Sequence, residues 1–264
     1  MSHGPAVLAA DVRPAAHATD DGGTADRVVF VHGFTQTRRS WDGVREVLAD
    51  RYETVAVDAP GHGESGHLKL SMAEGAEALG AAGGTATYAG YSMGARLALH
   101  LAVARPDLVE RLVLVSGTAG LDTAAERTAR VASDDVLASE IERDGVAAFV
   151  ERWLALPLFA GLPRERAGVA ERLTNTAAGL ASSLRLAGTG AQEPLWDRLG
   201  ELSMPVLLVV GADDAKFVAI GERLHGAITG SHLVVVPGAG HTVHLEQPER
   251  FTDALTHWLD GSSR

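Results

Sequence analysis

The sequence predicts an α/β protein, with a mostly parallel central sheet, helices on both faces and a helical cap inserted into it. In the first half, short strand-like runs rich in apolar residues alternate with longer helix-like segments. The same alternation returns near the C-terminus, and a strand-free, arginine-rich stretch separates the two. Apolar strands alternating with helices imply parallel strands buried on both faces. The expected division is a core in two pieces, residues 1–119 and 201–264, with the cap over residues 120–200.

The elements follow in order. Residues 3–26 read as a first hairpin with a loose acidic turn at "TDDGGTAD". "RVVFV" (27–31) is a strand ending at His32-Gly33, and "SWDGVREVLADR" a helix. "ETVAVDAPG" (53–61) is a strand that stops at an aspartate and a Pro-Gly turn. "SMAEGAEALGAAG" reads as a helix weakened by its glycines. "TATYAGYS" (85–92) and "RLVLVSG" (111–117) are strands on either side of the helix "MGARLALHLAVARPD". From about 120 to 200 the chain is rich in helix formers, with no convincing strand. "MPVLLVVG" (204–211) and "SHLVVVPG" (231–238) are the last strands, followed by "FVAIGERLHGAI" and "PERFTDALTHWLDG" as helices after each. No internal repeat or low-complexity tract interrupts the pattern.

Composition narrows the function. A chain of 264 residues buries roughly three quarters of its unfolded surface and needs no staple. The absence of cysteine excludes disulfides, thiolate catalysis and cysteine–zinc sites. A net charge of −11 argues against general binding to nucleic acid or to an anionic membrane. Only Lys69 and Lys216 are lysines; the other cations are arginines, which grip carboxylates with two prongs. The N-terminus lacks a basic start followed by an apolar core, and no apolar run reaches bilayer length. The expected location is therefore the cytoplasm, with a small-molecule partner.

The chemistry concentrates at Gly90-Tyr91-Ser92-Met93-Gly94, between a strand and a helix. A serine on so sharp a turn needs small neighbours, and Gly90 and Gly94 supply them. Ser92 is the expected nucleophile or base on this elbow. Its partners should follow in the order acid, then histidine, each on a loop after a later strand. Asp213 and Asp214 follow "VLLVVGA", and spacing alone does not choose between them. His241 follows "LVVVPGAG". It ranks ahead of His244, which could pack or bind substrate, and His232, which should lie exposed or at an edge. The backbone N–H groups of Met93 and Phe34 are the expected oxyanion donors. His32 and Asp58 read as loop-shaping residues.

Arg96 lies one helical turn past Ser92, so its side chain can point back over the elbow. Arg127 and Arg130 are three apart and can share one face of a cap helix. Trp153 and Phe159 are cap-core aromatics by default, with contact to a substrate ring the sharper alternative.

Together "VHGFTQTRRSW", "VDAPGHGES", "GYSMGARLAL", "GADDAKF" and "GAGHTVHLEQPERF" resemble the α/β-hydrolase fold over nearly the whole chain. The arginine after the elbow, "SGTAGLDTAAERTAR", "ERWLALPLFA", "SLRLAGTGAQEPLW" and the Asp-x-Lys-Phe of "GADDAKF" are similar to a narrower group. That group is 2-succinyl-6-hydroxy-2,4-cyclohexadiene-1-carboxylate synthase of menaquinone (vitamin K2) biosynthesis. The resemblance implies a lyase that eliminates pyruvate from a polycarboxylate and needs neither metal nor organic cofactor. It implies Ser92, Asp214 and His241 as the triad, because Asp214 is the aspartate of the Asp-x-Lys-Phe pattern. It implies Tyr91, Arg96, Arg130, Trp153 and Arg172 as substrate contacts, although "TNTAAG" departs from the family's asparagine-rich form near Arg172. Ser92 would act as a triad-activated base on a ring proton, while the amides of Phe34 and Met93 hold the carboxylate that gains charge.

Two other readings share these residues. An esterase, thioesterase or carbon–carbon bond hydrolase would use Ser92 as nucleophile, but a neutral ester needs no cationic ring. A non-catalytic binding protein would keep the fold alone, since fold does not prove activity.

Overall fold

A computed structural model of the chain describes residues 6–16 and 26–261. Its seven strands are β1 (Ala10–Arg13), β2 (Arg27–Val31), β3 (Glu53–Val57), β4 (Ala86–Tyr91), β5 (Val109–Val115), β6 (Val206–Gly211) and β7 (His232–Val236). They form one sheet in the order β1-β3-β2-β4-β5-β6-β7. Among the described residues, only the β1–β3 pair is antiparallel. The helices are α1 (Asp42–Leu48), α2 (Met72–Gly83), α3 (Met93–Ala104), α4 (Ala124–Leu154), α5 (Val169–Arg172), α6 (Ala177–Ala187), α7 (Ala215–Ala227), α8 (Val243–Glu246) and α9 (Pro248–Gly261).

Among the described residues, the expected first hairpin is not formed. β1 pairs with β3, register Ala10 opposite Val57, rather than with β2. Both edges of β2 are occupied by β3 and β4, so the outer edge of β3 is the one left for β1. Of the "TDDGGTAD" turn, only Asp26 lies within the described residues.

Residue parity assigns the two faces. Val29, Val31, Tyr88, Leu112 and Leu114 pack with α2 and α3 on one side. Val28, Phe30, Ala89, Tyr91, Val113 and Val115 pack with α1 and α9 on the other. The glycines of α2 do not prevent a helix, because Ser71 and Glu74 close a capping box at its start. They also serve packing. A Cβ at Gly75 or Gly80 would lie 2.9 or 2.8 Å from Leu97 or Leu101 on α3, so the glycines set how closely the helices approach.

From β2 the chain runs to one side into β3 and then returns to the other side at β4. Ligands of open α/β sheets bind beyond the carboxyl ends of the strands at such a reversal. The loops after β2 and β4, carrying Phe34 and Ser92, meet there. Above them α4 and α6 pack through Ile141, Phe149, Leu180 and Leu184 into a small apolar cluster of their own. The chain breaks α4 at Gly145, whose φ of +81° lies outside the helical region. No helix among the described residues is long and apolar enough to cross a membrane.

Candidate active site

Ser92 ends β4 and starts α3 with φ +52° and ψ −105°, a conformation that costs a non-glycine residue energy. The turn is possible because its two glycines pack directly against backbone, with no room for a side chain. A Cβ at Gly94 would meet the Val31 carbonyl, and one at Gly90 the Gly94 carbonyl. The strained turn projects Ser92 into a cavity of about 180 Å³ between sheet and cap.

His241 Nε2 lies 3.1 Å from Ser92 Oγ, and His241 Nδ1 lies 2.9 Å from Asp214 Oδ2. Burial pushes the Asp214 carboxyl up, but the hydrogen bond and charge of His241, with the Phe217 N–H, outweigh it and hold the group below its ordinary value. Asp213, by contrast, is exposed. The histidine loop is itself held. Glu246 accepts hydrogen bonds from the N–H groups of Gly240 (2.6 Å) and Thr242 (2.8 Å), and Ser116 Oγ donates to the His241 carbonyl (2.8 Å). The Phe217 ring packs edge-on against His241 at 4.4 Å.

His244 stacks on Trp41 at 4.3 Å, fully buried on the far face of the sheet, and His232 is exposed. Asp58 fixes its loop through the N–H groups of Arg38 and Glu64 and an ion pair with the Arg38 guanidinium.

The cavity brings together Phe34, Ser92, Met93, Arg96, Arg130, Trp153 and His241. Arg96 is 7 % exposed, and its Nη1 donates to the Ala187 carbonyl (2.9 Å) and Gln192 Oε1 (3.2 Å), both neutral. Burial, then the neighbouring Arg130, lowers it to about 10, so it stays charged at neutral pH. Arg130 Nε donates to Asp134 Oδ1 at 2.7 Å, which leaves its two terminal nitrogens for another partner. Trp153 stacks on Phe149 (5.7 Å) and meets the Phe34 ring edge-on (5.3 Å), so it is cap core and cavity wall at once.

Two expected contacts are not brought to the cavity. Tyr91 points to the opposite face of β4, where its hydroxyl lies 3.1 Å from Thr242 Oγ1 and its ring covers Gly33. Alternation along the strand puts it there. Arg172 lies behind the loop after β2, where it hydrogen-bonds to Thr35 Oγ1 and the Ala167 carbonyl. Arg127 does not reach the cavity either, because it caps the carbonyls of Leu121 and Asp122.

The cavity wall also holds Lys216, Phe217, Ser116, Thr118, Ser183 and Thr189, which were not among the expected site residues. Lys216 and Phe217 were visible in the Asp-x-Lys-Phe motif, and Lys216 is one of only two lysines. The others carry no sequence signal. Chemically, the site offers a serine that can pass its proton to an imidazole, and three cations in the same small space.

The chain matches the Alpha/beta hydrolase family over residues 28–254. It is 31 % identical to 2-succinyl-6-hydroxy-2,4-cyclohexadiene-1-carboxylate synthase of Serratia proteamaculans, over 90 % of this chain and 95 % of that one. It is 39 % identical to a Bacillus subtilis protein provisionally named as the same synthase, over 91 % of this chain and 93 % of the relative. Among solved structures, MenH from S. aureus superposes with a TM-score of 0.88 at 28 % identity, covering 97 % of this chain and 99 % of that one. A thermophilic esterase from Thermogutta terrifontis superposes at 0.78 with 27 % identity, over 97 % and 93 % of the two chains. On these matches the chain belongs to the alpha/beta hydrolase family and, within it, to the 2-succinyl-6-hydroxy-2,4-cyclohexadiene-1-carboxylate synthases.

Proposed function

We propose that this enzyme eliminates pyruvate from 2-succinyl-5-enolpyruvyl-6-hydroxy-3-cyclohexene-1-carboxylate, giving 2-succinyl-6-hydroxy-2,4-cyclohexadiene-1-carboxylate, with Ser92 as the base. The observation that carries this reading is the pairing of Ser92 and His241 in one cavity with Arg96, a buried cation whose hydrogen-bond partners are all neutral. A neutral ester would not repay burying that charge, whereas a substrate carboxylate would, because charge-assisted hydrogen bonds are the strong ones. Arg130 and Lys216 line the same wall, and a polycarboxylate repelled by a chain of net charge −11 finds its counter-ions there. Trp153 adds an aromatic wall beside which the ring can lie.

The electron flow follows from the substrate's connectivity. The proton on C2 is acidic because C2 is alpha to the succinyl ketone. Ser92 Oγ takes that proton and passes its own to His241 Nε2, and Asp214 stabilises the resulting imidazolium. The C2–H pair becomes the C2–C3 double bond, the C3–C4 pair moves to C4–C5, and the C5–O bond breaks. Enolpyruvate leaves, takes the proton back from His241 by way of Ser92 or water, and ketonises to pyruvate. Negative charge develops on the ketone oxygen, so the amides of Phe34 and Met93 serve that oxygen rather than a carboxylate. No acyl–serine bond forms. A water-borne, multiply charged substrate also fits a cytoplasmic enzyme.

The test is a coupled pyruvate assay on wild type, Ser92→Ala and Arg96→Ala, beside a panel of p-nitrophenyl esters. Pyruvate release should vanish in Ser92→Ala. In Arg96→Ala, kcat/KM should fall about 10- to 100-fold, the cost of one charge-assisted contact. Full turnover in Ser92→Ala would end the base assignment. Fast ester hydrolysis without pyruvate release would favour a hydrolase.

A further inference from the structure

Arg172 is 2 % exposed and makes no ion pair among the described residues. Its positive charge is felt at His32, His62 and His244, whose hold on a proton it weakens. A buried unpaired cation is costly, and it persists only where its hydrogen bonds secure something. Here they secure the loop after β2. Arg172 Nε donates to the Ala167 carbonyl at 2.7 Å, and Nη1 donates to Thr35 Oγ1 and faces the Phe34 carbonyl at 3.5 Å.

Asn175 holds the same turn from the same segment. Its Nδ2 donates to the carbonyls of Thr35 (2.8 Å) and Arg172 (3.0 Å), and its Oδ1 accepts from Gly63 N–H (2.8 Å). Thr35 needs holding. It is a β-branched residue at φ +67°, and such strain survives only where several contacts impose it. The third tether is His62 Nε2, which accepts the Thr35 N–H at 3.2 Å.

The amide beside this turn is the one that matters. Gly33 N–H donates to Gln36 Oε1, Gln36 N–H to the Gly33 carbonyl and Thr35 N–H to His62. Among the described residues, the Phe34 N–H has no acceptor, and Phe34 lines the cavity with Ser92. We propose that Arg172 and Asn175 are positioning residues that hold the strained Phe34–Thr35 turn, and with it the Phe34 amide, in register with Ser92. This rests on the role given to the Phe34 amide under the proposed function. It makes the anion site a joint product of two parts of the chain: the core supplies the donor, and the segment between β5 and β6 sets its geometry. It also gives Arg172 a task other than touching substrate.

The test compares Arg172→Gln, Arg172→Lys and Asn175→Ala in the full chain. The readouts are kcat and KM for pyruvate release and the inhibition constant of benzeneboronic acid. That compound forms a tetrahedral adduct on a triad serine and uses the anion donors, but it carries no carboxylate. In Arg172→Gln, kcat should fall about 10- to 100-fold with KM within about threefold, since a displaced donor costs somewhat less than a deleted one. Boronate affinity should fall about tenfold, Arg172→Lys should recover part of both, and Asn175→Ala should shift both in the same direction by less. A tenfold rise in KM with kcat and boronate affinity unchanged would overturn the proposal and make Arg172 a substrate contact. Equal losses in the Lys and Gln variants, with a lower melting temperature and unchanged boronate affinity, would leave it a structural residue only. If wild type releases no pyruvate, the functional reading fails separately, and the boronate series still decides the role of Arg172.

Discussion

Acidification from pH 7.5 to 5.5 should cost this fold about 5 kcal/mol through four buried histidines alone. Burial is the largest cause in each case. It lowers His32 to about 4, His62 to about 3, His100 to about 4 and His244 to about 3. In the unfolded chain the same side chains titrate near 6.5. The direction follows from proton counting. Between about pH 6.5 and 4 the unfolded state binds protons that the folded state refuses, so stability is full above 6.5 and is lost as the pH falls through that window. At pH 5.5 an unfolded histidine is about nine-tenths protonated, and the linkage amounts to about 1.4 kcal/mol per residue, against almost nothing at pH 7.5.

For a fold stable by about 5–15 kcal/mol, that loss removes about a third of the stability or more. It also reaches the active site, since His32 Nε2 accepts the Ala59 N–H and His62 Nε2 the Thr35 N–H beside the proposed anion donor. The assay is urea unfolding at the two pH values, with His244→Phe as the single-residue check. His244 stacks on Trp41 and neither ring nitrogen has a hydrogen-bond partner, so phenylalanine keeps the packing and removes one titration. The variant should lose about a quarter of the pH effect, roughly 1.4 kcal/mol. A wild-type loss below about 2 kcal/mol, or an unchanged pH effect in His244→Phe, would mean that these histidines take up protons in the folded state.

Two further substitutions probe the elbow and the triad. Gly94→Ala drives a Cβ into the Val31 carbonyl, which cannot yield without moving β2, so it should destabilise by about 3 kcal/mol and abolish pyruvate release; a melting temperature within error of wild type would show that the turn has room for a side chain. Asp214→Asn keeps the shape but cannot stabilise an imidazolium, so kcat should drop on the order of a thousandfold or more while thermal stability changes little; a drop below tenfold would remove Asp214 from the triad.

Much of the site was legible in the sequence because it is built from local signals. Gly90 and Gly94 mark the strained serine, and the aspartate and histidine each follow an apolar run that could only be a strand. The chain order of those loops then brings them together at the carboxyl edge of a parallel sheet, and the Ser92–His241–Asp214 contacts form there. The near neighbour Asp213 differs from Asp214 by one position, and it is the turn after β6 that exposes one and points the other at His241.

The layering, the elbow and the order of the catalytic loops are written in the chain, because strand and helix periodicities and glycine spacing are properties of neighbouring residues. Which cations serve the cavity is a matter of folding. Arg96, Arg130 and Arg172 look alike on paper. Yet Arg96 and Arg130 face Ser92, while Arg172 turns away to grip Thr35. Folding likewise places β1 on the outer edge of β3 and Tyr91 on the far face of the sheet. Long flexible side chains and edge strands take their direction from what lies across the fold, and contacts between residues so far apart along the chain leave no periodic trace in it.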